Sequence, residues 1–340
     1  MHAGKQFSFK EAIFWTRKDL YSLILISTVP TFCYTVLGWS WLSIPWLPIA
    51  LLGTAVAFVV GFKNNASYER MWEARRTWGG IVNSSRSWGV MIRDFTSLKN
   101  AVNPMSDEEI DALRFRFMKR HFAWLTALRF QLREKRIWEA IYKPHNQEYK
   151  DKWFSVEEHK GNLIEILQTY LSPEELADIS GKSNKAAHIL ALQSQNLRAV
   201  LDQGLIEDFR HMELEKLIQE FYNQQGACER IKNFPYPRQY ATLNLYFIRI
   251  FIFLIPLGML QEFGKLGGQM IWLTIPFSVL SSWIFTTLEK IGESTESPFE
   301  GSANDVPITA LSRSIEIDLC EMYNQSQIPA PKTPENNILL

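Results

Sequence analysis

Phe62-Lys63-Asn64-Asn65-Ala66-Ser67-Tyr68-Glu69-Arg70-Met71-Trp72-Glu73-Ala74-Arg75-Arg76 decides how this chain of 340 residues folds. Upstream of it, from Leu20 to Phe62, there is no Asp, Glu, Lys or Arg. Downstream, within one helical turn, come amides, aromatics and alternating charges. The charge-free run covers 43 positions, enough for two membrane passes of about 20 residues each. Gly38-Trp39-Ser40-Trp41-Leu42-Ser43-Ile44-Pro45-Trp46 interrupts it with turn formers and with tryptophans, whose amphipathic rings favour the membrane–water interface. The run therefore predicts a helical hairpin, one span over 20–39 and the next over 45–62.

Charge placement orients the hairpin. Lys5, Lys10, Arg17 and Lys18 precede it, and Lys63, Arg70, Arg75 and Arg76 follow it, so both flanks face the cytoplasm by the positive-inside rule. The first apolar run is too long for a secretory leader, which leaves 1–19 as a cytosolic N-terminal segment. A second pair lies near the other end. Gln239 to Gln261 is apolar except for Arg249, Leu266 to Leu288 is uncharged, and Glu262-Phe263-Gly264-Lys265 connects them. Arg249 sits about ten residues from the cytoplasmic end, where an arginine snorkels, pairs inside the bundle or serves function. The domain reading is a transmembrane hairpin over 20–62, a cytosolic helical domain over 63–235, a second hairpin over 236–288 and a cytosolic C-terminal segment over 289–340. The fold class is all-α, with four transmembrane helices.

Within the middle domain, apolar residues recur at helical spacing. Ser106-Asp107-Glu108-Glu109 and Ser172-Pro173-Glu174-Glu175 each place Glu three residues after Ser, a capping box. Helices are expected near 66–100, 106–146, 155–171, 185–203 and 211–232. After the last span, 289–308 reads as ordered loop, Leu311–Tyr323 as a short helix, and the Pro-rich tail from Ile328 as extended or disordered.

Composition excludes several functions. The 36 basic and 36 acidic residues exert no global pull on nucleic acid, and the mean hydropathy of −0.12 averages lipid spans with a charged body. Cys33, Cys228 and Cys320 are scattered, with no disulfide framework or zinc spacing, and the six histidines show no metal-ligand spacing. No GxSxG, HExxH or GxGxxG occurs, and Gly181-Lys182-Ser183 lacks the glycine a P-loop needs at position 176, which is Leu176. Neither an enzyme nor a cofactor is expected.

Thr54, Phe58 and Phe62 lie four residues apart and share one helix face. Such a stripe either packs against neighbouring helices or, if several copies ring an axis, forms stacked apolar rings that gate by dewetting. Aromatic edges carry partial positive charge and tolerate an anion.

The opening stretch, continued by Trp78-Gly79, resembles the juxtamembrane signature of the bestrophin family, particularly its prokaryotic members. So do Gly226-Ala227-Cys228-Glu229-Arg230-Ile231 with Pro235-Tyr236-Pro237, and Ser297-Pro298-Phe299-Glu300-Gly301 through Asn304-Asp305-Val306-Pro307 to Ile315-Glu316-Ile317-Asp318-Leu319. The resemblance covers nearly the whole chain except the tail. It implies a homopentamer in a lipid bilayer, in bacteria the inner membrane, with one axial pore for monovalent ions. Counting back from Arg70, it places the pore neck at Phe62, Phe58 and Thr54, where Thr54 replaces the aliphatic residue more usual in the family. It places a cytosolic aperture near Met212, with Ile206 as the alternative, by matching Leu217-Ile218-Gln219-Glu220. Asn64 and Asn65 are expected at the inner mouth. Tyr68, Glu69, Arg70, Trp72, Glu73, Arg75 and Arg76 are expected to serve assembly, with Glu69–Arg76 and Arg70–Glu73 as helix or intersubunit pairs, or else to form a solvated face. Animal members bind calcium on an acidic run; here Ser302-Ala303-Asn304-Asp305 keeps one carboxylate, so Asp305 and Asn304 make a poor calcium site and Asp305 is expected to cap a turn or pair. Chloride or another small anion is the leading permeant ion. A cation channel of the same architecture and a non-conducting membrane-anchored scaffold or sensor are the rivals.

Overall fold

The computed structural model describes all 340 residues. Twelve α-helices account for the architecture: α1 (Phe9–Thr35), α2 (Trp46–Phe95), α3 (Asp107–Arg133), α4 (Pro144–Trp153), α5 (Glu157–Lys160), α6 (Leu163–Leu167), α7 (Pro173–Ser180), α8 (Lys185–Asp202), α9 (Asp208–Asn233), α10 (Arg238–Gly264), α11 (Thr274–Thr295) and α12 (Ile308–Met322). Only isolated β-bridges occur.

The largest departure from expectation is α2. The chain does not break where lipid gives way to water: one helix of 50 residues, about 75 Å long, replaces the predicted span and the predicted helix after it. Its buried residues recur at alternating steps of four and three: Ile49, Gly53, Val56, Val60, Lys63 and Ser67, then Ala74, Trp78, Ile81, Ser85, Trp88 and Ile92. A 3.5-residue repeat keeps a single seam facing its partners. The upper half of that seam joins Leu23 of α1 and Ile248, Phe251, Ile252 and Ile255 of α10 in the membrane bundle. The lower half enters a core of 35 buried residues that includes Phe117 and Trp124 of α3, Leu214 and Phe221 of α9, and Leu319 of α12. Trp88 stands edge-on to Phe117 and Phe221, with centroids 6.2 and 6.0 Å away.

By length and composition, three segments suffice to cross a membrane: the one carrying α2, α10, and Gly268–Thr295. The predicted first span is shorter than expected, because α1 ends at Thr35 and the chain turns at Gly38 (φ 73°). α1 nonetheless packs along α11 and α10 as the fourth helix of the bundle, and Trp283 of α11 donates to Thr16 at 3.0 Å.

Both capping boxes form, with Ser106 and Ser172 accepting from Glu109 N and Glu175 N at 3.2 and 3.3 Å. The helix expected over 106–146 stops at Arg133, where Glu134 leaves helical geometry (ψ 138°), and α4 begins anew with Pro144 at its first position after Lys143, which is also extended (ψ 143°). The one expected over 155–171 is split at Gly161-Asn162, where Asn162 caps α6. The C-terminal segment is not a separate unit, since α12 lies on α2 and α3. Beyond it the tail runs extended against the N-terminus: Leu339 N donates to Met1 O at 2.9 Å, and Ile338 is buried beside Tyr149, Phe154 and Val156.

Candidate functional site

With its seam turned inward, α2 presents the opposite face to the outside. Thr54, Phe58 and Phe62 all lie on that face, Phe58 64% and Phe62 66% exposed, so the aromatic stripe has no packing role within the chain. Alternating steps continue the face through Asn65, Glu69, Trp72, Arg76, Gly79, Asn83 and Arg86, every one exposed. Thr54 donates its hydroxyl to Ala50 O of its own helix at 3.0 Å, leaving acceptor lone pairs and a methyl group to face outward.

The two asparagines separate. Asn65 stays on the exposed face. Asn64 lies 200° round the helix from Phe62, and its amide donates to Leu288 O of α11 at 3.1 Å, which removes it from the inner mouth. Beside it is a group that sequence reasoning missed. Lys63, predicted only as a topology marker, is 1% exposed and pairs with Glu289, whose other oxygen accepts from Asn244 Nδ2 at 2.7 Å. This triad locks α2, α10 and α11 together one residue below Phe62. Asn244, a lone amide in an apolar span, was the available signal; its partners lie far off in sequence.

Most of the signature residues act within the chain. Arg70 is half-buried and donates to Glu296 O (2.9 Å), Ile231 O (3.0 Å) and Phe234 O (2.9 Å), tying α2 to the ends of α9 and α11. Glu73 pairs with Arg230, not with Arg70, and the Arg75 guanidinium lies 5.9 Å over the Trp72 ring. Tyr68, Glu69 and Arg76 remain exposed, and neither Glu69 nor Arg76 makes an ion pair within the chain.

At the far end of the water-facing body, Ile206 is 3% exposed and belongs to the core, so it is unavailable as an aperture residue. Ser97 N donates to Leu205 O at 2.8 Å, which pins that loop against the end of α2. Met212 is 56% exposed, and Phe209, three residues earlier on the same face of α9, is 84% exposed. Phe209 was missed because it precedes the helical periodicity on which that register was counted.

Asp305 is fully engaged. Oδ2 accepts from Arg133 at 2.7 Å and from Gly301 N at 2.6 Å, and Oδ1 accepts from Ser302 at 2.5 Å. A guanidinium thus holds the place where a cation would bind. Burial, with Asp305 and Glu139 nearby, pushes the Glu300 carboxyl well above the usual range. Asn304 turns its amide to Ser294 Oγ at 3.4 Å. Cys228 and Cys320 are buried free thiols whose pKa values burial pushes up, that of Cys320 to about 11.

An apolar helical bundle of membrane length, threaded by a helix that continues into a water-facing core, defines an integral membrane protein. Residues 13–321 match the family model described as Bacterial/Fungal Bestrophin protein. The chain belongs to that family. It is 27% identical over 322 residues to the voltage-dependent anion channel-forming protein YneE of Escherichia coli K12, covering 94% of this chain and 89% of the relative. It is 26% identical over 288 residues to the voltage-dependent anion channel-forming protein mll4386 of Mesorhizobium japonicum, covering 84% and 78%. The crystal structure of a bacterial bestrophin homolog from Klebsiella pneumoniae shares the fold, with a TM-score of 0.75 at 23% identity over 92% of this chain and 99% of that one.

Proposed function

We propose that this protein assembles as a homopentamer around one axial pore and passes small monovalent anions, chloride foremost, down their gradient. Both termini face the cytoplasm, and the bacterial inner membrane is the site of action. The observation that carries this reading is the exposed face of α2: Phe58 and Phe62 are two-thirds exposed while every seam residue beside them is buried. Rings so exposed in a membrane span face lipid or another protein surface, and in this reading symmetric copies bring them face to face. Facing each other across an axis, they make a dry constriction that empties and fills as its width changes. The names of the two relatives, anion channel-forming proteins, support the choice of ion. Phe209 and Met212 are the residues for a second constriction at the cytosolic exit.

A cation channel of the same shape is the second reading, favoured by Glu69, exposed and unpaired seven residues beyond Phe62 on the same face. Purified protein in liposomes tests both. Conductance is expected, with reversal potentials in a salt gradient following the anion, and Phe58→Ala with Phe62→Ala is expected to raise basal flux. No conductance, or conductance indifferent to the double substitution, refutes the neck. A solution mass far from five protomers refutes the assembly.

A further inference from the structure

Between the first residues of the chain, α4 and the end of α11 lies a cavity of about 330 Å³. Phe7, Trp15, Tyr149 and Phe154 wall it, together with the turn over 302–304. α11 reaches it with one face, because Thr287, Ile291 and Ser294 follow each other at steps of four and three. No Asp, Glu, Lys or Arg lines it. That sets it apart from two larger cavities, of about 480 and 510 Å³, whose walls carry lysines and glutamates. A concave, mostly apolar enclosure of this size with a few polar groups has the build of a small-molecule site.

Size and wall chemistry set what fits. An apolar cavity of about 150 Å³ accepts one benzene ring, so this one has room for two fused rings. The aromatic walls offer carbon rather than polar tips: the Tyr149 hydroxyl donates to Glu11 at 3.3 Å, and the Trp15 ring N–H donates to Asn146 at 2.8 Å. The Phe7 and Phe154 rings are each centred 6.3 Å from the Tyr149 ring, the spacing of aromatic pairs that a further ring can join edge-on or offset. One polar side chain in the lining is free to bond. Asn304 is exposed, and its only hydrogen bond is a long one, 3.4 Å to Ser294 Oγ. A charged guest finds no counter-charge in this wall, and a plain hydrocarbon leaves the Asn304 amide unused. We infer that this cavity is a binding site for a neutral two-ring aromatic molecule carrying one hydrogen-bonding group, which the Asn304 amide meets. The inference does not depend on the channel reading. An occupant touches α1, α4, α11 and the turn before Asp305 at once, so it ties the segment ahead of α1 to the end of α11.

The test is equilibrium dialysis of the full chain in detergent against 2-naphthol, naphthalene and 2-naphthoate. Ala303→Phe, which fills the cavity from its wall, is the blank. The wild type should take up about one 2-naphthol per chain, saturably, and should bind 2-naphthoate at least about tenfold more weakly, because that carboxylate meets no cation. Asn304→Leu should weaken 2-naphthol about three- to tenfold and leave naphthalene unchanged, a split that loss of the fold does not produce. If Ala303→Phe fails to fold, Ala12→Leu narrows the cavity from α1 and serves as the blank. Uptake of 2-naphthol by the wild type no greater than by a folded, filled variant overturns the inference, and so does 2-naphthoate binding as tightly as 2-naphthol. A detergent or phospholipid acyl chain that copurifies with the wild type and is absent from the filled variant gives the cavity to lipid and overturns the aromatic assignment.

Discussion

Replacing Lys63 by Met should destabilise the protein far more than an ordinary lysine substitution does. The Lys63 and Glu289 side chains are 2% and 7% exposed, and without the ammonium the Glu289 carboxylate keeps a single amide donor, Asn244, in a site closed to water. Breaking such a buried pair from one side costs about 3–5 kcal/mol. For a chain of 340 residues, an unfolding entropy of about 2.1 cal/mol/K per residue turns that into a Tm lowered by about 4–7 °C. Lys18→Met is the control, because Lys18 and Glu148 are 56% and 37% exposed and their pair is worth at most about 1 kcal/mol. The double variant Lys63→Met with Glu289→Gln removes both charges and should regain at least half of the loss. Thermal unfolding followed by tryptophan fluorescence in one detergent compares all four proteins. A Lys63→Met protein no weaker than Lys18→Met, or a double variant no more stable than Lys63→Met alone, refutes the view that this pair holds the bundle together.

Three further outcomes are expected. Arg70→Ala leaves three carbonyls unbonded at the ends of α9 and α11, at a cost of about 2–4 kcal/mol, and should speed amide exchange over 231–240; Arg70→Lys should recover only part, since one ammonium cannot span three acceptors. His121 is buried among Trp88, Trp124 and Phe221, with its Nε2 2.8 Å from Ser85 Oγ, and burial lowers its pKa to about 3. The unfolded chain takes up this proton below pH 6.5 and the native one does not, so stability should fall as pH drops from 6.5 towards 3, by about 2 kcal/mol at pH 5; His121→Gln should flatten that slope in acid unfolding curves. Gly89→Val should push α12 off α2, because even a Cβ there meets Leu319 and Met322, and limited proteolysis around 301–308 should accelerate.

Sequence made local and periodic features legible. The two capping boxes, the apolar runs and the Thr54–Phe58–Phe62 stripe depend on residues within a turn or two of each other. What escaped was set by distant partners. The burial of Lys63 rests on Glu289, 226 positions away, which neutralises a charge placed where the apolar span ends. Asn64 looked like a mouth residue until α11 supplied the Leu288 carbonyl, and Ile206 looked like an aperture until a loop pinned to Ser97 buried it. Only the restart of the helix expected over 106–146 was readable, because Pro144 disfavours helical geometry at Lys143 and suits a first helical position; its end at Arg133, where Glu134 turns out of the helix, carried no such signal.

The seam of α2 explains why a lysine belongs at the lipid boundary. Ile49, Gly53, Val56 and Val60 face membrane helices, while Trp78, Ile81, Ser85, Trp88 and Ile92 face a water-soluble core, yet both sets keep one 3.5-residue phase. Lys63 and Ser67 are the seam positions between them. An apolar residue at 63 would hold the phase but strand Glu289 and Asn244 without a cation, and a lysine without Glu289 would bury an unpaired charge on the seam. The buried pair satisfies both demands. Phe62 stands one residue, hence 100°, from Lys63, so its outward direction is fixed from both ends: by packing in lipid above and by the tryptophan core below. A slip of one residue anywhere between 63 and 74 would turn the two phenylalanines a quarter-turn or more away from the face they share with Asn65, Glu69 and Trp72. The water-facing core thus sets the direction of Phe58 and Phe62 through a single rigid element.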